Sequence, residues 1–250
     1  MENQNPDYTY QNVIQIDDAD QSRKFIANVF MWMFVALGIS SALAYSFANN
    51  QALKDLLFDP GTGQATGLAF IFMFLPLAFV LIMSFGINKI SYAGLAVLFV
   101  AYSAATGVSL TFVLLAYTQS SVLGVFLTSS VVFGIMAFAG YITHTDLTKF
   151  GSLLIMLLIG VIIATLINRL ILHSSGMEMI ISYVGVAVFV GLTAYDVQKL
   201  KRIGAGLEYG DASAKKMALM GGLTLYLDFI NLFLFLLRIF GRKRDRKSVV

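Results

Sequence analysis

The sequence predicts an all-α membrane protein, a bundle of seven transmembrane helices, and three observations carry that prediction. Hydrophobic residues make up 58% of the 250-residue chain, and mean hydropathy is +0.80. Asp, Glu, Lys and Arg together make up only 12%, against about 25% in a soluble domain. A water-soluble fold of this length cannot bury so much apolar surface, so the solvent for the remainder is lipid. Finally, the apolar residues fall into seven runs of about the 20 residues a membrane span requires. The runs are too long for strands and lack the alternation of a transmembrane barrel.

The first 24 residues are polar and mostly acidic (Glu2, Asp7, Asp17, Asp18, Asp20), with Arg23 and Lys24 just ahead of the first apolar run. A cleavable signal peptide would open on a basic segment and reach its apolar stretch sooner. Residues 1–24 are therefore expected to be a disordered polar tail, and the first run, Phe25–Ala48, a retained anchor. Asn49–Thr66 is the longest linker, with turn signals at Asn49-Asn50 and Asp59-Pro60-Gly61. The second run is Gly67–Phe85, where Pro76 is expected to produce a kink. Tyr92–Tyr117, Val122–Thr143 and Gly151–Ile167 follow, the last being the shortest of the seven. Met179–Val197 and Met217–Leu237 complete the set, joined through a linker that mixes Gly with charge. Residues 25–240 thus read as one membrane domain and 241–250 as a basic tail. Small residues inside the runs, as in Gly38-Ile39-Ser40-Ser41-Ala42, are explained by close helix packing. The short linkers leave no room for a soluble domain.

The net charge of +3 reflects Lys and Arg at membrane edges rather than a nucleic-acid surface. With seven spans, nine basic residues fall on the N-terminal side: Arg23, Lys24, Lys89, Lys149, Lys199, Lys201, Arg202, Lys215 and Lys216. Only Lys54 and Arg169 fall on the other side ahead of the tail. The positive-inside rule therefore puts the N-terminus in the cytoplasm. The basic residues from Arg238 to Lys247 oppose that count, because seven spans place them outside; either the tail is a tolerated exception, or one segment is re-entrant and both ends are cytoplasmic.

The chain has no Cys, which excludes disulfides and thiolate metal sites. Charge inside a span costs about 2.5–3.5 kcal/mol, and two carboxylates bear that cost, Asp196 in the sixth run and Asp228 in the seventh. Asp228 shares a helix face with Gly221, Thr224 and Asn231 at 3/4 spacing. Ser182, Gly185 and Thr193 fall near the face of Asp196. Thr193, Tyr195, Thr224 and Asn231 are accordingly the supporting or pore-lining candidates. The two runs are consecutive and antiparallel, so the carboxylates can meet. A close pair tends to share a proton, which makes it a natural pH switch, and without that proton it attracts cations. The alternative is that each Asp separately bonds backbone or hydroxyl groups. Meeting requires the seventh helix to start early, because Asp196 is six residues from Arg202 whereas Asp228 is twelve from Lys216.

His144, Asp146, His173 and Glu178 read as solvated residues at span ends and Arg169 as a snorkelling side chain. Asn168, Arg169 and Glu178 are candidates for an outer mouth. No span interior carries a Lys for a retinal Schiff base, and no Ser and His pair at depth. Tyr195-Asp196 matches half of an intramembrane aspartyl protease motif. Leu225-Tyr226-Leu227-Asp228 lacks the glycines of the other half, so no enzyme activity is expected.

Gly191-Leu192-Thr193-Ala194-Tyr195-Asp196-Val197-Gln198 and Leu225-Tyr226-Leu227-Asp228-Phe229-Ile230-Asn231-Leu232-Phe233, in this order and joined by a charged linker, resemble the Bax inhibitor-1 (transmembrane Bax-inhibitor-motif) family, most closely its bacterial branch. The resemblance covers most of the chain. It implies a cell inner-membrane protein whose seventh helix is central and wrapped by the other six. It also implies a pH-sensitive calcium leak channel gated by a di-aspartyl pair, which maps to Asp196 and Asp228. These two would hold calcium only transiently, as a permeant ion rather than a cofactor. Family accounts add a second-span Arg that latches the closed pair, yet no Arg or Lys lies between Gly67 and Phe85. The competing expectation is a non-transporting stress or quality-control protein that modulates another membrane complex, such as a protease, through its acidic N-terminal tail.

Overall fold

The computed structural model describes residues 7–207 and 212–244. The ends of both expected tails, 1–6 and 245–250, lie outside the described residues. The helices are α1 (Asp7–Asn49), the short α2 (Gln51–Leu57), α3 (Gly67–Gly86), α4 (Tyr92–Ala116), α5 (Gln119–Ile142), α6 (Thr148–Ile167), α7 (Ser175–Ala205) and α8 (Ala212–Phe240). A π-helical turn, Asn168–Leu172, continues α6. All but α2 supply a segment long and apolar enough to cross a membrane, seven in total among the described residues.

Several boundaries differ from expectation: α7 runs Ser175–Ala205 rather than Met179–Val197, and α8 starts at Ala212 rather than Met217. α1 is already helical at Asp7, so the polar segment expected to be disordered continues the first span from there. No Gly or Pro between Asp7 and Lys24 interrupts it. The shortest apolar run becomes a full span, Thr148–Leu172. α3 ends at Gly86, one residue beyond the expected run, with Pro76 inside it. The long linker holds α2, capped by the Asn50 side chain, which accepts from the Ala52 and Leu53 amides. There Asp59 accepts from the amides of Thr62 and Gly61 at 3.0 and 2.8 Å. These two donors hold its carboxyl below the usual carboxylate range.

α8 is the most buried span: 61% of its most apolar stretch is buried, compared with 11% for α3 and α6. It packs against α1, α4, α5 and α7. α3 packs chiefly on α4, and α6 on α7, so four of the six other spans enclose α8 and two form an outer layer. The outward faces of α3 and α6 display side chains such as Phe70, Ile71, Phe74, Leu77, Met156 and Ile159, each more than half exposed. So large an apolar surface requires lipid as solvent.

The inner helices are joined by a buried polar chain. The Ser40 hydroxyl donates to the Ser103 carbonyl at 2.7 Å and lies 2.7 Å from the Tyr226 hydroxyl, which completes the chain as donor. Tyr226 and Ser103 are fully buried, and α1, α4 and α8 are thereby tied at one level. Tyr226→Phe should cost roughly 0.5–1.5 kcal/mol, the worth of one such bond, measured by thermal unfolding in detergent. An unchanged midpoint would mean the chain carries no stability.

The two ends of the bundle are also fixed. On the N-terminal face, Ser22 donates to the Lys201 carbonyl at 3.0 Å and Lys216 to the Ile87 carbonyl at 3.2 Å. On the opposite face the start of the basic tail pairs with the α4–α5 linker. The Thr118 amide donates to the Arg242 carbonyl at 3.0 Å and the Arg244 amide to that of Ala116 at 2.9 Å. The tail therefore emerges on the face opposite the start of the first span, as seven spans require.

Candidate functional site

α7 and α8 lie side by side and antiparallel, and their seam brings together the two intramembrane carboxyls read from the sequence. Asp196 and Asp228 come within hydrogen-bonding reach of each other. They are level because α8 begins at Ala212, ahead of Lys216. The helices approach closely because small residues line the seam: a Cβ on Gly221 would stand 2.7 Å from Leu200, and one on Gly185 would stand 2.8 Å from the Phe235 ring.

Asp228 is 5% exposed, and its Oδ2 is buried with no hydrogen-bond partner among the described residues. Asp196 is partly buried. The Lys199 ammonium, three residues along α7, is close enough for its charge to reach Asp196. The enclosing segments of α1 (from Phe25), α4 and α5 contain no Asp, Glu, Lys, Arg or His. Burial of a carboxyl oxygen without a donor is costly, and such groups concentrate where a protein uses them.

The four supporting candidates separate. Thr193 is fully buried, but its hydroxyl donates to the Phe189 carbonyl at 2.7 Å. Thr224 donates to Met220 at 3.1 Å and the Asn231 amide to Leu227 at 2.8 Å, each within its own helix. Tyr195 turns toward α6, where its ring fills the space a Cβ on Gly151 would occupy. None of the four makes a side-chain hydrogen bond to either carboxyl. Among the described residues no group of three or more His, Cys, Asp or Glu could hold a metal. Two carboxyls fall short of the six to eight oxygens calcium takes in a resident site.

Gln198, two residues beyond Asp196, was not singled out by sequence. It is 4% exposed; its amide donates to the Thr145 carbonyl at 2.8 Å, and its oxygen accepts from the Leu147 amide at 2.8 Å. Lys201 donates to the Tyr141 carbonyl at 2.8 Å, and Arg202 pairs with Asp146 at 2.8 Å. Consecutive turns of α7 thus clasp the α5–α6 linker. His144 lines a cavity of about 330 Å³ beside this clasp, with Ser22, Thr143, Gln198, Lys201 and Arg202.

Hydrogen bonds from the Thr148 hydroxyl and amide, with the Arg202 guanidinium, hold Asp146 down at about 2. A carboxyl lowered on folding contributes stability above its unfolded value of about 4 and loses it as pH falls through the folded value. Asp146 therefore stays ionised throughout pH 5–8. Asp146→Asn should leave the shape of any pH–transport profile in that range unchanged, as measured in reconstituted vesicles.

The outer-mouth candidates lie around the α6–α7 turn. Asn168 is buried; its amide donates to the Ser174 carbonyl and its oxygen accepts from the Ser174 amide, both at 3.1 Å. It closes the α6–α7 turn, where His173 takes a φ of 49°. Arg169 and Glu178 are exposed.

Comparison with known proteins bears on this arrangement. Residues 22–245 match the family model described as inhibitor of apoptosis-promoting Bax1. The chain is 42% identical over 221 residues to the inner membrane protein YbhL of Escherichia coli K12, covering 88% of this chain and 92% of that protein. It is 43% identical over 223 residues to an uncharacterised protein of Borreliella burgdorferi, covering 89% and 93%. Against the uncharacterised protein RP147 of Rickettsia prowazekii it is 38% identical over 223 residues, covering 89% and 91%.

Proposed function

The chain belongs to the Bax inhibitor family of membrane proteins, and on that footing we propose that it is a pH-sensitive cation leak of the bacterial inner membrane, favouring calcium and gated by Asp196 and Asp228, with its N-terminus in the cytoplasm. The observation that carries the reading is the buried carboxyl pair, with one oxygen that has no partner among the described residues. Two carboxyls this close repel when both are ionised, so one proton shared between them is the stable arrangement. Loss of that proton on raising the pH leaves two negative charges in a low-dielectric setting, and these draw in a cation. Hard oxygen donors suit calcium. Two of them hold it only in passing, while water completes its shell, which favours passage over storage.

A latch from the second span does not support closure here. α3 carries no Lys or Arg, and it packs on α4 without extensive contact with α7 or α8. Closure rests on the proton shared by the pair and on the packing around it.

The test is calcium entry into liposomes containing the purified protein, followed with a trapped indicator from pH 5 to 8. Flux should rise with pH. Vesicles that conduct no more than protein-free controls at any pH would sink the leak, and leave the reading of a stress protein that acts through another membrane complex.

A further inference from the structure

The seam that joins the carboxyls holds a second contact of opposite character. Phe189 lies seven residues before Asp196 on α7, and Phe235 seven residues after Asp228 on α8. In an antiparallel pair both steps lead the same way, about 10 Å toward the face where the basic tail emerges. The two rings meet with centroids 5.9 Å apart, and both residues are buried. Between this contact and the carboxyls stand buried Leu192 and Leu232. The Thr193 hydroxyl and Asn231 amide there donate to their own helices, so neither offers that hydrogen to passing water.

Two further groups pack on Phe235. Phe235 lies over Gly185, whose missing Cβ makes room for the ring. The Arg238 guanidinium covers Phe235 at 5.1 Å from its centroid. A different face of α8, carrying Phe229 and Phe233, packs edge to face on Phe126 of α5 at 5.4 and 6.0 Å. An apolar constriction of this kind blocks ions by excluding water, without any charged latch.

We propose that Phe189 and Phe235 form a hydrophobic seal between the carboxyl pair and the tail face, and that this seal is the second barrier of the path. The proposal rests on the leak reading, because a seal has meaning only if the seam conducts. The competing view is that these rings are ordinary core packing.

The absence of Cys permits a direct test. Asn231→Cys places a single thiol between the seal and the carboxyls. A cationic, membrane-impermeant methanethiosulfonate is applied from the tail face, and calcium flux is measured on the same vesicles. With the seal intact, labelling should be slow. Adding Phe235→Ala should speed it at least tenfold and raise flux. Phe189→Ala, the second variant, should do the same if Phe235→Ala does not fold. Ser103→Cys, fully buried elsewhere, serves as control and should stay unlabelled in each background. Equal labelling with and without the ring, or a matching rise at residue 103 that betrays general loosening, overturns the seal. Faster labelling with no flux in any variant would refute the leak, and with it the seal as a barrier of an ion path. Flux controlled by the carboxyls with unchanged labelling would retain the leak and refute the seal.

Discussion

Replacing Asp196 and Asp228 together with Asn should remove the pH dependence of calcium flux and lower flux at pH 8 by roughly tenfold, equivalent to about 1.4 kcal/mol of lost cation stabilisation. Asn is nearly isosteric with Asp and still hydrogen-bonds, so the seam can close as before. What disappears is the exchangeable proton and the charge its loss exposes. Each single variant leaves one carboxyl without its repelling neighbour and should shift the pH profile rather than flatten it. A further consequence separates function from architecture. Asp228 is buried with an oxygen that has no hydrogen-bond partner among the described residues, so it opposes folding. The double variant should therefore unfold at the same temperature as wild type or higher, the pattern expected of a group retained for activity at the expense of stability. Unaltered flux with an unaltered pH profile would remove the pair from the gate, and a sharp fall in unfolding temperature would make it structural.

The pair was legible in the sequence because a charge within an apolar run is conspicuous, and because consecutive spans must run antiparallel. Its level was not, since that depends on where α8 begins. The polar, mixed residues around Lys216 carry no apolar periodicity to mark the start at Ala212. Span positions were readable to within a few residues at most ends, as hydropathy alone sets them. The exceptions lie where polar sequence is helical without being apolar: at the start of α1, in α2, at the end of α7, which runs to Ala205 rather than Val197, and at the start of α8. The supporting polar residues were the weakest part of the reading. Spacing shows that Thr224 and Asn231 share a face with Asp228, but not that their side chains turn back to their own backbone. Gln198 escaped notice for the opposite reason: beside Lys199 and Lys201 it looks like a solvated helix end, and only tertiary contact turns it inward onto Thr145 and Leu147. The aromatic contact two turns from the carboxyls was equally hidden. In a chain with 21 Phe, no local signal distinguishes a ring in the seam from a ring in lipid.

The largest structural effect is expected at Gly140, where α5 crosses α7. A Cβ there would overlap the carbonyl oxygen of Ala194 and stand 2.7 and 2.8 Å from its Cα and carbonyl carbon. The obstacle is helix backbone, which cannot rotate aside, so Gly140→Ala must drive the two helices apart. Separation would also strain the clasp just beyond the crossing, where Lys201 holds the Tyr141 carbonyl and Gln198 holds the linker. The expected cost is at or above the upper end of ordinary overpacking, about 3 kcal/mol. Two other glycines calibrate this. At Gly151 the nearest atoms the new Cβ would meet are those of the Tyr195 side chain, and at Gly134 nothing lies within 4 Å. Gly151→Ala should cost less, because a side chain can turn away. Gly134→Ala should be neutral or stabilising by up to about 1 kcal/mol through helix propensity. Thermal unfolding of the three variants in detergent should give that order. Ala194 is two residues from Asp196, so on the proposed gate any folded Gly140→Ala protein should also show altered flux, because the helix that carries Asp196 will have moved. Equal stability of Gly140→Ala and Gly134→Ala would show that α5 and α7 do not cross at Gly140.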